Sequence, residues 1–569
     1  MFWQALTAAR DLGRLHEIAA ILIRYGFGAM VRNMGLARLL EKAGRALHWE
    51  EMEDVFQLDA PTRVRRVLEE LGPTFVKLGQ VFATRVDIFD PEWIAEFSKL
   101  QDSVPAVPYE DIRRQLEEDL GAPPETLFAW FDEQSLAAAS VAQVHRARLD
   151  DGSEVVVKVR RPGIRPQIEA DLRWLSRLAL LIESETPELR QFHPVEIAGQ
   201  FAQSLRRELD FAGECRNAER IAENFVGYVD ADTPVLQPGA PPLIVIPRVH
   251  WEWTSERVAV LEYIDAIPGR QLDAAEAAGL DRKLLARRGA HAVLKMVIED
   301  GLFHADPHPG NLFYLPGNRM AFIDFGMVGR LTEERRDELT RLLFGMFNLQ
   351  PSLVTEVMLD WAGGSNTADE SSLTLDVQTY LDQYHGLPLK HLKLGAMLTD
   401  FARLMRQHHL TLPPDLVLLF KTFISLEGMG REIDPEFDIP AEMLPMLKHA
   451  IEARYAPWTL VRRGWRSAAE GLNFLGVLPG DLNRLMRRIR RGKLDIHVEV
   501  NHIRRVGDQF ENAVNRLAQG LIVAALIIGS SIIVTAAGGP ALSTLGIIGF
   551  VAAALGGLWV IFPKGGGRR

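Results

Sequence analysis

The chain has 569 residues, a formal net charge of −11 and one cysteine, Cys215. That length exceeds what one core normally serves, so several domains, or one large domain with extensions, are expected. The acidic balance excludes general nucleic-acid binding, and a lone cysteine excludes a disulfide framework or a cysteine-rich zinc site and suits a reducing compartment.

Residues 1–60 are helical in pattern. Ile18–Val31 is apolar, but Arg24 interrupts it and no small-residue cleavage site follows. It reads as an amphipathic helix that packs on a partner or a membrane surface, not as a secretory signal. Val64, Val67, Leu68 and Leu71 then recur at helical spacing, and Pro73 suits the first turn of a new helix. Lys77 and Gln80 lie three apart on one side of that helix. Phe89-Asp90-Pro91 marks a break, and Glu110–Leu120 reads as a further helix closed by Gly121.

The character changes at Ala137-Ala138-Ala139-Ser140-Val141, which leads into a hairpin turning at Asp151-Gly152. The second arm, Glu154–Val159, is β-branched with one lysine, Lys158. Protein kinases open in the same way: a phosphate-covering loop joins two strands, and the next strand carries a phosphate-binding lysine. Alanines in place of glycines resist positive φ, so the loop is expected to sit differently over the phosphates. Residues 160–230 look helical and supply two candidate partners for Lys158, Glu214 first and Glu208 second; six apart, they cannot both fill one position. Leu243–Pro247 and Arg257–Ile264 read as strands, and Glu262 to Ile264 stand where a kinase hinge would meet adenine.

The most informative stretch is His304-Ala305-Asp306-Pro307-His308-Pro309-Gly310-Asn311, followed by Asp324-Phe325-Gly326. In kinases the first Asp faces the reacting hydroxyl, while the Asn and the second Asp hold Mg²⁺ against the phosphates. One short hairpin, Leu312–Leu315 and Met320–Ile323 around Pro316-Gly317-Asn318, fits between 306 and 324 and brings the second Asp back to the first. Thr332 caps a helix soon after Asp324, which leaves no room for a long activation segment, and Ala305 replaces the usual loop arginine. A phosphorylation-switched peptide platform is therefore not expected. Helices continue to about 460; within the apolar Leu416–Gly428, Lys421 and Glu427 read as surface or locally paired charges. A basic stretch from Arg462 to Lys493 precedes an uncharged tract, Leu517–Pro563, split at Gly538-Gly539-Pro540. Two arms near spanning length, with basic flanks on the same side, read as a transmembrane hairpin whose flanks are cytoplasmic and face anionic lipid.

Lys77-Leu78-Gly79-Gln80, the alanine-rich loop, Val157-Lys158, Glu208-Leu209-Asp210, the His304–Asn311 run and Asp324-Phe325-Gly326 together resemble the UbiB-like (aarF-domain) atypical kinases, in the same order. The resemblance implies an α+β, bilobal protein-kinase-like fold. Its segments would be an N-terminal helical region (1–60), a helical extension (61–125), an N-lobe with a helical insert (126–265), a C-lobe (266–455), a basic juxtamembrane region (456–516) and a transmembrane hairpin (517–563). It implies ATP or ADP with Mg²⁺. Ala137, Ala138, Ala139, Ser140, Val141, Lys158, Glu262 and Ile264 would line the nucleotide site, with Glu214 pairing the lysine, Asp306 catalytic, and Asn311 and Asp324 on the metal. Lys77 and Gln80 would gate the cleft, held by Glu208 and Asp210. It further implies slow, lipid-sensitive ATPase activity in support of ubiquinone biosynthesis at the inner (plasma) membrane. Anionic lipids, prenylated quinone precursors and quinone-biosynthesis enzymes would be the partners, with a homodimer allowed. Phosphorylation of a small molecule or lipid, and a nucleotide-gated scaffold, are the alternatives.

Overall fold

A computed structural model describes residues 2–28, 31, 58–83, 85, 88–100, 105–185, 190, 193–233, 235, 237–361, 370–384, 392–408, 410 and 412–455. The chain divides into two units, Met1–Leu460 and Val461–Arg569. The basic stretch and the apolar tract at 517–563 lie outside the described residues. Among the described residues no helix is long and apolar enough to cross a membrane.

The strands are β1 (Trp130–Phe131), β2 (Ala137–Ala138), β3 (Ala142–Arg148), β4 (Glu154–Arg160), β5 (Ile244–Val245), β6 (Val258–Glu262), β7 (Ile267–Pro268), β8 (Leu302–His304), β9 (Leu312–Leu315), β10 (Arg319–Phe322) and β11 (Val328–Arg330). The first lobe is an antiparallel sheet in the order β1-β3-β4-β6, with β2 paired to β3. Alternation along β4 decides what the sheet offers the cleft. Val155, Val157 and Val159 are fully buried against Ile112, Leu116 and Phe128. Period-2 geometry therefore turns Lys158 to the opposite face.

The helices used below are α1 (Phe2–Arg24), α2 (Ala60–Leu71), α3 (Pro73–Phe82), α4 (Pro91–Phe97), α5 (Tyr109–Leu120), α6 (Ile164–Glu185), α7 (Pro194–Glu208), α8 (Phe211–Asn224), α9 (Arg282–Lys295), α10 (Glu333–Phe347), α11 (Pro351–Trp361), α12 (Glu370–Asp382), α13 (Leu394–Gln407), α14 (Pro414–Ile433) and α15 (Ile439–Tyr455). Helices α9 to α15 surround one apolar core, in which the β9–β10 hairpin also sits. The hairpin turns at Pro316-Gly317-Asn318, with Gly317 at φ 79° and Asn318 at φ 56°.

Two expectations change here. Leu243–Pro247 contributes only β5, and β5, although within the segment expected to form the N-lobe, runs parallel to β10 in the second lobe. From Ile18 on, the apolar face of α1 is covered by other helices of the chain and not offered to a partner or membrane. Ile18, Ala19, Ile21 and Leu22 are buried in a cluster with residues of α2, α3 and α6. Asp171 of α6, its side chain fully buried, accepts hydrogen bonds from Arg14 Nε at 2.6 Å and from Thr74 Oγ1 at 2.7 Å, tying α1 and α3 to α6. Burial pushes the Asp171 carboxyl above its ordinary range, with the Arg14 contact opposing.

Candidate active site

Lys158 Nζ stands 2.9 and 2.8 Å from the two carboxylate oxygens of Glu214, and 3.7 Å from Asp324 Oδ1. Glu214 reaches it from the first turn of α8, whose N-terminus is fixed by Asp210: the Asp210 carboxylate accepts the Gly213 N–H at 3.0 Å. The Phe211 ring lies 5.1 Å below the ammonium, a cation–π contact added to the ion pair. Burial works against the Lys158 charge, but Asp324 and Glu214 outweigh it and hold the ammonium above the usual lysine range. Burial pushes the Glu214 carboxyl up to about 7, Lys158 opposing and Asp324 adding to the rise. Lys158 draws Asp324 down to about 2, burial opposing. One cation thus stands between two carboxylates, and the more exposed of them, Asp324 with 52% of its side chain accessible, is the one held ionised.

The β9–β10 hairpin delivers Asp324. Phe322 pairs with Leu312, and the Ile323 N–H continues the ladder to the Asn311 carbonyl at 3.0 Å. Asp324 then turns out of the strand at φ 61°, a left-handed conformation that a non-glycine residue adopts at a cost, as at other functional sites. Asn311 donates its side-chain N–H to the Asp306 carbonyl at 3.2 Å, which leaves its amide oxygen free to take a cation. His304 joins the two loops. Its Nδ1 accepts the Asp306 N–H at 3.1 Å, and its Nε2 lies 3.0 Å from the Ile323 carbonyl, so the proton belongs on Nε2. Burial lowers the His304 pKa, which keeps the ring neutral in that role.

No trio of His, Cys, Asp or Glu gathers among the described residues. The Asn311 amide and the ionised Asp324 carboxylate are hard oxygen donors, and they suit Mg²⁺ that draws its remaining ligands from phosphate and water. When bound, the metal would neutralise charge developing on a transferred phosphoryl group.

The other expected residues fall as follows. Ala137 and Ala138 form β2, and the Ala139 N–H bonds to the Ala142 carbonyl at 2.8 Å, so the loop is a tight strand-to-strand turn. Ser140 is 2% exposed, and its hydroxyl has no hydrogen-bond partner. Val141 is buried in the cluster formed with the extension helices. The exposed Glu262 carboxylate accepts the Arg248 N–H at 3.2 Å, and its own N–H donates to the Arg248 carbonyl. Ile264, two residues on, is half-buried just beyond β6.

The structure separates the two candidate glutamates. Glu214 takes Lys158, and Glu208 at the end of α7 pairs with Lys77 at 2.7 Å. Gln80 donates to the Leu100 carbonyl at 3.3 Å. Between them, Gly79 packs where a Cβ would overlap the Leu100 and Leu68 side chains. Asp210 caps α8 and pairs with Arg216 at 3.1 Å, which fixes the helix that presents Glu214.

Two contacts were not anticipated. Lys421 of α14 lies 3.1 Å from Asp306 Oδ1, and Thr422 Oγ1 lies 3.2 Å from the Ala305 carbonyl. The one signal for Lys421 was a cation inside an otherwise apolar run, and that run is read as surface pairing unless its neighbour is known. Glu427 is buried, accepting the Gly395 N–H at 2.7 Å, and is paired locally with Arg431 at 3.1 Å, as one of its two readings expected. The segment after Asp324 is short: β11 pairs directly with β8, and Thr332 caps α10 by accepting the Arg335 N–H.

A strand lysine held by a helix glutamate, facing a catalytic-loop Asp and Asn and a second Asp, defines a kinase-like phosphoryl-transfer fold. Three family descriptions match: an ABC1 atypical kinase-like domain over residues 99–358, a UbiB helical domain over 377–438, and an ABC1/UbiB kinase-like C-terminal domain over 501–563. A probable protein kinase UbiB of Pseudomonas paraeruginosa is 35% identical over 457 residues, covering 79% of this chain and 83% of the relative. The similarly named Pseudomonas putida F1 protein is 33% identical over 518 residues, 90% of this chain and 92% of its own. The chain belongs to the ABC1/UbiB atypical kinase-like family. A solved structure of the Rv3197–erythromycin complex from Mycobacterium tuberculosis covers 70% of this chain and 98% of its own at 21% identity and TM-score 0.41, a likeness too loose to bear on the site.

Proposed function

We propose that this protein hydrolyses Mg-ATP on the cytoplasmic leaflet of the inner membrane and that turnover supports ubiquinone biosynthesis by giving access to prenylated quinone precursors. The observation that carries the nucleotide part is the contact of Lys158 with both Glu214 oxygens, 3.7 Å from Asp324. In this reading Lys158 meets phosphate, Asn311 and Asp324 hold Mg²⁺, and Asp306 orients the attacking water. The Lys77–Glu208 pair ties α3 to α7, and the short segment after Asp324 offers no peptide platform. The membrane and quinone parts rest on the apolar tract at 517–563 and on the family resemblance.

The test is ATP turnover by the purified protein with and without anionic liposomes and a quinone-precursor mimic, for wild type and Asp324→Asn. Phosphate release that rises with liposomes and vanishes in the variant supports the reading. Turnover equal in both proteins defeats it. Label from γ-labelled ATP in the lipid fraction would replace hydrolysis with lipid phosphorylation.

A further inference from the structure

The kinase catalytic loop meets an unexpected cation. Asp306 carries the loop's carboxylate, and His308 follows two residues later with Nε2 3.8 Å from Asp306 Oδ2. The close charged contact comes from elsewhere: Lys421 Nζ lies 3.1 Å from Oδ1, with 24% of the lysine side chain and 30% of the Asp306 side chain exposed. Lys421 belongs to α14, which falls within the segment matched as the UbiB helical domain and outside the segment matched as the kinase-like domain. Its neighbour Thr422, fully buried, has Oγ1 3.2 Å from the Ala305 carbonyl and 2.9 Å from the Leu418 carbonyl of its own helix, so consecutive residues of α14 lie against the loop's backbone and its carboxylate. The ammonium also lies 3.6 Å from Met327 Sδ, on the segment that follows Asp324.

We propose that Lys421 is a positioning residue for Asp306, and that the helical domain thereby completes the catalytic centre. An ammonium on Oδ1 fixes the rotation of the carboxylate and reserves Oδ2 for the attacking water or hydroxyl. Positioning of this kind acts on the chemical step and leaves nucleotide affinity to Lys158, Asn311 and Asp324. The inference rests on the ATP-turnover reading above.

The experiment uses the full chain and compares wild type, Lys421→Met, Lys421→Arg, Asp306→Asn and the Asp306→Asn/Lys421→Met double variant. It measures Mg-ATP hydrolysis and the affinity for a fluorescent ADP analogue. Lys421→Met is expected to lower kcat about ten- to a hundredfold, with ADP affinity held within about twofold. Lys421→Arg, which keeps a cation in reach, recovers most of that loss. In the Asp306→Asn background Lys421→Met has no further effect, because a residue that acts through Asp306 has nothing left to act on. A kcat within about twofold of wild type in Lys421→Met, or an additive loss in the double variant, overturns the inference while ATP turnover stands. An equal fall in ADP affinity overturns it as well, in favour of a structural role. A wild type without turnover defeats the underlying reading and this inference with it.

Discussion

Two lysine–glutamate pairs hold the candidate site, and they differ in what surrounds them. Lys158–Glu214 is double-contacted, with side chains 17% and 9% exposed, backed by a sheet on one side and Phe211 on the other. Lys77–Glu208 has side chains 18% and 26% exposed and joins two helices. The first pair draws in a third charge, Asp324, at 3.7 Å from Lys158. The second links the extension to the end of α7. A fixed pair suits a part every turnover needs, and a more exposed pair suits a part that opens, because water replaces the lost contact at small cost.

The strongest break in that comparison is at Asp324. Asp324→Asn removes the carboxylate held ionised beside Lys158, and ATP turnover is expected to fall about a hundredfold or more, read as steady-state phosphate release. Lys158→Met leaves Glu214 buried without its cation and is expected to cost about 2 to 3 kcal/mol in denaturant unfolding, somewhat less than a fully buried pair would. Asp210→Ala removes the cap of the helix that presents Glu214, and about 1 kcal/mol is expected in the same assay. Lys77→Met is expected to cost only about 0.5 kcal/mol; a loss equal to that of Lys158→Met would erase the distinction between the two pairs.

The pH dependence sharpens the same contrast. Glu214 keeps its proton up to about 7 in the folded protein, against a reference value of 4.5. Between those values the folded state holds more protons than the unfolded state, so this group favours folding most below 4.5, and its contribution is lost as pH rises through about 7. Asp324, drawn down to about 2 from 3.8, has the opposite sign: its contribution is present above 3.8 and lost as pH falls towards 2. Glu214→Gln is expected to flatten the fall in Tm between about pH 5 and 7 while leaving the acid limb below pH 4 in place.

Much of the site was legible because it is local. His304 to Asn311, the hairpin and Asp324 lie within one short stretch, and the turn residues Gly317 and Asn318 announce how the chain returns. Lys158 was legible as the one lysine in a β-branched run that follows the alanine-rich loop and a hairpin turn. What stayed hidden depends on elements far apart in the chain. Nothing near Lys421 points to Asp306. Likewise, nothing near Ile18 says that its helix is covered by α2, α3 and α6 rather than by a membrane. The cap that Asp210 gives to α8 also stayed hidden, because it shows only once the Gly213 N–H is seen to meet its carboxylate.

The sequence by itself determined the chemistry: which side chains carry charge, which oxygens are hard enough for magnesium, and how short the segment after Asp324 must be. Those are properties of residue type and spacing. The tertiary structure decided what the sequence left open or did not suggest: Glu214 and not Glu208 on Lys158, and Lys421 on Asp306. Partner choice follows from which helices pack side by side, and that is set by burying apolar faces contributed from across the whole chain.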